Sequence, residues 1–557
     1  MKRILQLFVL TSLTCCILDT TAQTRYLDEV FSSVTIESDV VYGNNISILP
    51  MLAGLPPAPT DLLCDIYHPT GDTETERPVI IVAHTGVFLP AVINGQATGS
   101  KHDSSIVEQC MRWAKKGYVA VSYDYRLGWN PTSTDQNTRT STLIQAAYRG
   151  IQDSRSLIRF MRSSEASGNP YGIDGDKIVM GGQGTGGYLA LGVATLDTSN
   201  KLFLPKFLDF SNPQQPVPYV YPPVFGNIWG TNMGYIPVTD SLGNPIIDST
   251  GNPVMAPFSL PNHPGYSSDI ALAWNAGGAL ADISWFTGLP ELDSNGVPTG
   301  TIYGTCDIPI VSFHCDLDPY APIDTGDVIV PTTGDFVVEV MGSRTVQHYA
   351  NVFGNNTVFA GISDAFTTAA NTNNSGYEGL YVFDTPDPST TPNMFGELEE
   401  EQSGPWDWWD NTTYGIQAEA INGIPGLTSP AYFEANALLG NPDMSATKGR
   451  AYIDTIQGYL APRIYQALGL GSALNINEII ESSTEIYPNP ANNTLNIVSY
   501  AINIDDIRII NIEGKEIFNT TVNASQARVN TSDLATGLYI IEIKSENNTI
   551  KRKLIIE

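Results

Sequence analysis

The amino-acid sequence predicts an α/β domain with a mainly parallel sheet, followed by a small all-β domain. In the larger part, short apolar runs alternate with longer amphipathic segments. Runs that are apolar throughout indicate strands buried on both faces, as in a parallel sheet covered by helices. After about residue 483 the texture changes to short alternating segments separated by Asn-rich turns, which is typical of an Ig-like sandwich.

Apolar periodicity places the elements of the α/β domain. Strands are predicted at 61–67, 79–83, 119–124, 177–181, 270–275 and 308–313, and helices at 104–116, 144–165 and 188–195. Two insertions, at about 202–265 and 371–449, interrupt the alternation. Long irregular insertions in α/β domains usually cover the site, so we expect both to act as caps.

The two ends of the chain predict export. Lys2 and Arg3 precede an apolar run at 4–18, and Ala22 ends a run of small residues, which predicts a signal peptide at 1–22. The α/β domain then spans 23–472, a linker 473–482 and the β-domain 483–557. No later stretch approaches 18 apolar residues, so no stable membrane span is expected.

The composition of the chain limits the kinds of molecule that it is expected to bind. The 557 residues carry a formal charge of −30, from 58 acidic and 28 basic side chains, so the surface repels nucleic acid. The mature chain keeps Cys64, Cys110, Cys306 and Cys315, and no pair has metal-ligand spacing. We therefore expect no metal and no cofactor. A bridge between Cys64 and Cys110 and buried free thiols both remain open.

The C-terminal segment resembles the sorting domain used by the type IX secretion system of Gram-negative bacteria. The resemblance rests on Ile486-Tyr487-Pro488-Asn489-Pro490-Ala491, Ile512-Glu513-Gly514-Lys515, Leu534-Ala535-Thr536-Gly537-Leu538-Tyr539 and Lys551-Arg552-Lys553. It implies recognition of 483–557 by that machinery, and passage through the periplasm and outer membrane to the cell surface or the medium. The alternative is an accessory or carbohydrate-binding module of the same shape.

The larger domain resembles the carboxylesterase-like branch of the α/β-hydrolases. Four stretches carry the resemblance: His84-Thr85-Gly86-Val87-Phe88, Ser122-Tyr123-Asp124-Tyr125-Arg126-Leu127-Gly128, the region 153–187 with its glycine-rich turn, and His314-Cys315-Asp316-Leu317-Asp318-Pro319. The resemblance implies an α/β-hydrolase fold. It also implies an oxyanion hole from the backbone of Gly86 and Thr185, and Asp318 at the position of the catalytic acid.

The nucleophile that this resemblance implies is missing. The turn reads Gly181-Gly182-Gln183-Gly184-Thr185-Gly186-Gly187, which puts Gly184 where the family carries its serine. After Asp318 the sequence holds one histidine, His348. The segment around it predicts a helix at 342–354 that leads into a strand near 358, whereas the catalytic histidine belongs in the loop after that strand.

Other side chains are candidates for ligand binding rather than for chemistry. His84 follows a predicted strand at the presumed site, and Trp406, Trp408 and Trp409 lie beside an acidic run at 397–401. Aromatic side chains with carboxylates are typical of carbohydrate stacking, and equally of tryptophans that pack an insertion onto a core.

Three functions are consistent with these patterns. The first is a degenerate hydrolase, a pseudoenzyme that binds an unidentified small-molecule, ester or glycan ligand. The second is an active esterase or lipase-like hydrolase with a displaced nucleophile, such as Thr185 with His348 and Asp318. The third is a structural or adhesive surface protein, because fold alone does not decide function.

Overall fold

The computed structural model describes most of the chain. The described residues are 24–91, 93, 96–240, 242–293, 297–330, 333–385, 402–410, 412, 414–415, 437–471, 484–499, 503–511, 515–545 and 548–557. The predicted signal peptide and linker lie outside them. The chain divides into two compact units, Met1–Ile464 and Tyr465–Glu557.

The strands of the larger unit include the six that the periodicity predicts between residues 61 and 313. In chain order they are β1 (Val34–Ser47), β2 (Ala58–Pro69), β3 (Arg77–Ala83), β4 (Val119–Tyr123), β5 (Ile173–Gln183), β6 (Leu208–Asp209), β7 (Val217–Pro218), β8 (Gly234–Pro237), β9 (Met255–Ser259), β10 (Leu272–Ala276), β11 (Leu289–Leu292), β12 (Pro298–Tyr303), β13 (Ile310–Cys315), β14 (Thr325–Ile329), β15 (Phe336–Met341) and β16 (Leu380–Phe383).

Among the described residues, eight of these strands form the central sheet in the order β1-β2-β4-β3-β5-β10-β13-β16. The first two pairings, β1 with β2 and β2 with β4, are antiparallel. The other five are parallel. The strands β3, β4, β10 and β13 are buried along their whole length. The predicted α/β-hydrolase fold, with a mainly parallel sheet, is confirmed.

Helices connect the strands and cover the sheet. They are α1 (Ser104–Lys116), α2 (Gln136–Ala166), α3 (Thr185–Thr195), α4 (Pro222–Phe225), α5 (Ser284–Thr287), α6 (Ser343–Val352), α7 (Ala365–Ala370) and α8 (Ala446–Ala467). The helix α1 has the predicted bounds and buries Ile106, Cys110 and Trp113, because these positions recur at helical spacing. Gly117 ends it at φ 106°, a conformation that glycine adopts without strain.

One predicted strand is wrong. Residues near 358 form a 3-10 helix, Asn355–Phe359, rather than a strand. The side chain of Asn356 donates to the backbone of Glu378 and accepts from the backbone N–H of Ile310. The segment therefore makes its hydrogen bonds to neighbouring backbone through a side chain rather than through a strand ladder. The last strand of the sheet is β16 instead, which pairs with β13 and lies inside the range 371–449 that we assigned to an insertion.

The predicted region of irregular structure at 202–265 contains the short pairs β6–β7 and β8–β9. Its tip carries two Asp-based turns, in which Asp240 accepts from the backbone of Leu242 and Asp248 accepts from that of Thr250. A carboxylate that accepts from the backbone two residues ahead closes an Asx turn, which explains the two exposed loops.

The smaller unit is a two-sheet sandwich. Its strands are β17 (Thr484–Tyr487), β18 (Thr494–Ser499), β19 (Ile504–Asn511), β20 (Glu516–Ala524), β21 (Gln526–Asn530), β22 (Gly537–Ser545) and β23 (Asn548–Ile556). They form the sheets β17-β18-β21 and β20-β19-β22-β23. Apolar side chains such as Leu495, Ile507 and Ile541 fill the space between the sheets. The all-β prediction is confirmed.

The cysteines of the described chain are buried free thiols. Cys64 and Cys110 therefore do not form the bridge that the sequence left open. Burial raises the pKa of both thiols, so each behaves as a small apolar side chain. Within the described residues, no helix is both long enough and apolar enough to cross a membrane.

Candidate functional site

A cavity of about 180 Å³ lies at the carboxyl edge of the central sheet. Its wall includes Thr85, which follows β3, Gln183 and Thr185 at the end of β5, and Gly277, which follows β10. The segment 403–407 closes another side. Because the carboxyl ends of parallel strands meet at one edge, this is where the fold collects ligand-binding loops.

The turn between β5 and α3 has the geometry of a nucleophile elbow. Gly184 stands between the last residue of the strand and the first of the helix, with φ 50° and ψ −120°. A Cβ on Gly182 or on Gly186 would overlap the carbonyl oxygen of Ala83, so neither position accepts a larger residue. The sharp turn of the fold is retained, while the residue at its apex has no side chain.

Thr85 occupies the space beside that apex. A Cβ on Gly184 would overlap the hydroxyl oxygen of Thr85 and would lie 3.1 Å from the Thr85 Cβ. The threonine stands where the resembled family has a glycine. A nucleophilic side chain at 184 therefore requires Thr85 to move or to be replaced.

The hydroxyl of Thr185 has a partner of its own. Tyr125 donates its phenolic proton to the carbonyl oxygen of His84 at 2.9 Å, and its oxygen lies 3.0 Å from Thr185 Oγ1. Since the Tyr125 proton is used, the Thr185 hydroxyl is the donor in the second bond. The backbone N–H of Thr185 is at the first position of α3, where the helix supplies no acceptor. Gly86, the other expected oxyanion-hole residue, also lines the cavity.

Asp318 lies in the loop after β13 with its side chain 1% exposed. Its carboxylate accepts from the backbone of Tyr320 at 2.8 Å and from the hydroxyl of Ser403 at 3.1 Å. The nearest imidazole is that of His314, whose Nε2 is 3.8 Å away. Burial raises the pKa of Asp318 and lowers that of His314. The hydrogen-bond partner of Asp318 that lines the cavity is therefore Ser403.

His348 is placed on α6, away from these groups. Its Nδ1 lies 3.1 Å from the hydroxyl of Tyr377, at an exposed position, and it does not line the cavity. The structure therefore does not bring together Thr185, His348 and Asp318, the displaced triad that the sequence suggested.

His84 is buried behind the cavity wall rather than in it. Its ring stacks on Tyr125 at 4.3 Å between centroids, and Nδ1 bonds to the carbonyl oxygen of Thr85. Nε2 lies 3.7 Å from Asp124, but burial dominates and lowers the pKa of the imidazole. This placement holds the loop that contains Thr85, and it gives the imidazole no ligand contact.

The three candidate tryptophans have different surroundings. Trp406 is 2% exposed, lines the cavity and packs against Phe383. Trp408 faces the guanidinium of Arg450 at 5.3 Å, and Trp409 packs in a small separate cluster with Tyr414. Of the three, Trp406 is the one positioned to contact a ligand in the cavity.

The sequence did not predict a chain of hydrogen bonds beside the cavity that joins side chains from three parts of the fold. Ser105 Oγ lies 2.9 Å from Gln183 Oε1 and 2.5 Å from Asp407 Oδ1. Burial raises the pKa of Asp407 to about 6. The one sequence signal for this chain of hydrogen bonds was the position of Gln183, directly before the apex of the elbow. Ser105 and Asp407 are 302 residues apart, so no local pattern connects them.

A group of metal-ligating side chains lies elsewhere on the surface. Asp39, Asp65 and His102 bring their ligand atoms within 4.8 Å of one another. Lys101 already occupies this group, since its Nζ bonds to Asp65 at 2.5 Å and to Asp39 at 2.9 Å. The ammonium supplies the positive charge that a cation would otherwise bring.

Comparison with protein families finds two matches, one in each unit. Residues 64–215 match the BD-FAE family, and residues 485–557 match the secretion system C-terminal sorting domain. The chain thus carries an esterase-like α/β-hydrolase domain and a type IX sorting domain. The sorting domain implies export to the cell surface or secretion.

Several solved structures that are similar to the chain are esterases. The native form of esterase 2 from Thermogutta terrifontis is 17% identical, with 73% of this chain and 97% of that chain covered and a TM-score of 0.30. Its form phosphorylated by paraoxon is 16% identical, with 71% and 95% covered and a TM-score of 0.27. A truncated carbohydrate esterase from gut microbiota is 17% identical, with 53% and 80% covered and a TM-score of 0.25. No curated protein matches the chain.

Proposed function

We propose that this exported hydrolase-fold protein binds a small ligand in the cavity at its elbow and does not cleave it. The observation that carries the proposal is the pair Gly184 and Thr85. The apex of the elbow has no nucleophile, and the hydroxyl of Thr85 fills the space that a nucleophile would need.

The second support is the partner of the acid. In this fold the acid orients a histidine that takes the proton of the nucleophile. Here Ser403 bonds to Asp318 instead, and the part of the cavity wall that the structure describes contains no histidine. A serine does not accept and return a proton near neutral pH, so general base catalysis lacks its usual agent.

A displaced nucleophile is the second candidate, and Ser403 is the residue that favours it. Its hydroxyl lines the cavity and donates to a buried carboxylate whose pKa is raised. Such a carboxylate is a better base than an exposed one. Thr185 is a weaker choice because its hydroxyl proton is held by Tyr125.

Two measurements on the full chain distinguish binding without cleavage from hydrolysis by a displaced nucleophile. They are hydrolysis of a panel of short-chain p-nitrophenyl esters and labelling by a fluorophosphonate. Binding without cleavage predicts rates equal to buffer and no labelled protein. Hydrolysis that is lost in Ser403→Ala and in Asp318→Asn, but kept in Ser249→Ala, would overturn the proposal in favour of the displaced nucleophile. Ser249 is the matched control because it lies exposed in a surface turn.

The third reading, a structural or adhesive protein, predicts that the cavity takes no ligand. Trp129 and Trp406 both line the cavity, so ligand entry is expected to change the intrinsic fluorescence. Titration with small esters, ketones and amines that leaves the fluorescence and the melting temperature unchanged would support the scaffold role.

A further inference from the structure

The two carboxyl oxygens of Asp407 have different surroundings. Oδ1 lies 2.5 Å from the hydroxyl oxygen of Ser105. Oδ2 makes no hydrogen bond among the described residues and keeps accessible surface. It lies 3.2 Å from the point where a Cβ on Gly404 would stand, and Gly404 and Asp407 both line the cavity. One oxygen is therefore held by the wall, and the other is left free beside the cavity.

The residues behind Oδ1 direct their donors toward the carboxyl group. The oxygen and nitrogen of a glutamine amide exchange places when the group is turned. With the amide of Gln183 turned, Nε2 takes the position 2.9 Å from Ser105 Oγ and gains an acceptor that it otherwise lacks. Ser105 then donates its one proton to Asp407 Oδ1. Donation from Gln183 through Ser105 stabilises the ionised form of Asp407.

The described part of the wall supplies no opposite charge for this carboxylate. Its residues include no lysine, arginine or histidine. Two cations of α8 contact the segment that carries Asp407, but both have other partners. Lys448 donates to Gln402 at 3.0 Å. Arg450 lies over the ring of Trp408 at 5.3 Å. A positive partner for the free oxygen of Asp407 therefore has to come from a ligand.

Two further carboxyl groups favour a positive ligand. Asp103, directly before α1, is buried, and its pKa is raised by burial and by the charge of Asp407. Asp318 is buried behind Ser403, which donates to it at 3.1 Å. A cation in the cavity lowers the cost of negative charge on each of these groups. The N-terminus of α3 acts in the opposite sense, but a helix dipole is equivalent to only about half a charge.

The rest of the wall suits an organic cation rather than a metal ion. The aromatic residues that line the cavity are Phe88, Trp129, Tyr188, Tyr320 and Trp406. Aromatic rings attract organic cations and cover their apolar parts. A calcium ion takes about six to eight oxygen ligands, whereas the described wall offers one free carboxyl oxygen.

Neutral acceptors in the wall favour a cation that carries protons. The hydroxyl of Tyr188 makes no hydrogen bond among the described residues, keeps accessible surface, and stays neutral because burial raises its pKa. Ser403 gives its proton to Asp318 and keeps its lone pairs for accepting. These two oxygens and Asp407 Oδ2 are three acceptors for the three N–H groups of a primary ammonium. A quaternary ammonium would leave all three unused.

Size limits the rest of the molecule. The cavity of about 180 Å³ slightly exceeds the ~150 Å³ of an apolar cavity that holds benzene. Much of the remaining wall is aliphatic and includes Leu143, Ile144 and Val338. These dimensions suit an amine with one aromatic ring or an alkyl group of similar volume.

We propose that the cavity binds a protonated primary amine with a small apolar body, and that the free oxygen of Asp407 accepts from its ammonium group while Ser105 holds the other oxygen. The inference rests on the proposed function, because it assigns a ligand class to the same cavity. Asp407 is the residue that selects the cation, and Ser105 positions it.

The test uses the full chain and three probes of nearly equal size: benzylammonium, benzyl alcohol and benzoate. Calorimetric titration at pH 8 is expected to show benzylammonium binding at least about tenfold more tightly than benzyl alcohol, and benzoate more weakly than either. Asp407→Asn is expected to weaken benzylammonium at least about tenfold and to leave benzyl alcohol within about twofold. Asp410→Asn is the matched control, because Asp410 is exposed in the same segment and does not line the cavity.

Ionisation of Asp407 gives the binding a pH dependence. Burial raises the pKa of Asp407 to about 6, so roughly a tenth of the free protein is ionised there at pH 5 and nearly all of it at pH 8. Benzylammonium keeps its charge at both values. Its affinity is expected to rise about tenfold from pH 5 to pH 8, while that of benzyl alcohol stays constant. Asp407→Asn is expected to abolish the rise.

A second variant keeps the proposal testable if Asp407→Asn does not fold. Ser105→Ala removes a donor to Asp407 and is expected to weaken benzylammonium more at pH 6 than at pH 8, because less of the carboxyl group is then ionised at pH 6. Benzyl alcohol bound as tightly as benzylammonium, or an affinity for benzylammonium that neither variant changes, would overturn the proposal.

Benzylammonium has no ester bond, so its binding is measured whether or not the protein cleaves esters. Ester hydrolysis together with selective binding of benzylammonium would refute the proposed function and leave the role of Asp407 standing. Absence of hydrolysis with equal binding of benzylammonium and benzyl alcohol would do the reverse. Absence of binding by all three probes would overturn both.

Discussion

The Thr85 side chain stands against the bare apex of the elbow, with its Cβ 3.1 Å from the point where a Cβ on Gly184 would lie. Two changes relative to the resembled family meet at one place. The glycine at position 184 leaves space beside the apex, and the hydroxyl of Thr85 fills it. A serine introduced at 184 meets Thr85, whereas Thr85→Gly alone leaves the apex without a side chain, so the effects of the two substitutions are expected to be coupled.

Restoring a hydrolase should therefore require three changes. Gly184→Ser alone is expected to show no ester hydrolysis, because the serine meets Thr85 and finds no base. The variant Thr85→Gly/Gly184→Ser/Ser403→His is expected to hydrolyse p-nitrophenyl esters at least about 100-fold faster than the single variant, since a positioned base contributes about that much. Adding Asp318→Asn should remove most of the gain. Equal activity in the single and triple variants would show that neither Thr85 nor Ser403 is an obstacle.

Lys101 is expected to be essential for stability. Its side chain is 1% exposed and that of its partner Asp65 is 3% exposed. Lys101→Met leaves a buried carboxylate without its cation, which costs about 3–5 kcal/mol in the free energy of unfolding. Lys177→Met is the control, since the pair of Lys177 with Asp174 is 36% exposed on the lysine side and should cost less than about 1 kcal/mol. Equal losses in denaturant titrations of the two variants would contradict this role.

Asp407 should make the protein less stable as pH rises. Burial raises its pKa from 3.8 to about 6, whereas the unfolded chain ionises near 3.8. The unfolded state therefore loses its proton first, and stability falls between pH 4 and pH 6. Asp407→Asn is expected to remove roughly 3 kcal/mol of this dependence in all, of which about 1.4 kcal/mol lies between pH 5 and pH 8. Melting temperatures of the variant and of Asp307→Asn, an exposed control, at pH 5 and pH 8 measure it. A variant with the same pH profile as the unaltered chain would refute it.

His348 is expected to be dispensable for the cavity. It lies on α6 with Tyr377 as its partner, so His348→Ala removes one exposed contact. Ligand affinity and any ester hydrolysis should stay within about twofold of the unaltered chain. Asp318→Asn is the variant for comparison, because it changes a buried group that is bonded to Ser403 beside the cavity. A large loss of ligand affinity or of ester hydrolysis in His348→Ala would support a triad of Thr185, His348 and Asp318.

Deletion of 485–557 should stop export at the periplasm. These residues match the sorting domain, and they form a separate compact unit with its own core. The remaining chain is expected to fold and to keep its cavity, because the cavity wall belongs to the larger unit. Cell fractionation locates the truncated protein, and its affinity for benzylammonium reports on the cavity. Truncated protein at the cell surface or in the medium would contradict the assignment.

The strands and helices could be predicted wherever burial imposes a period on the sequence. The helix α1 and the buried strands β3 and β4 agree with the periodicity within two residues, because their apolar positions face one side or both sides of the core. The segment 355–359 was misassigned because its asparagine side chains, rather than a strand ladder, satisfy the neighbouring backbone.

The sequence by itself determined that a glycine, Gly184, stands at the apex of the elbow, that one histidine follows Asp318 in the given sequence, and that residues 485–557 form a sorting domain. These are properties of residue identity and local order. Only the tertiary structure decided that Thr85 lies against the apex, that Ser403 is a hydrogen-bond partner of Asp318, and that Ser105 joins Gln183 to Asp407. Each of these relationships joins residues far apart in the chain, and only the folding of the sheet edge brings their side chains within bonding distance.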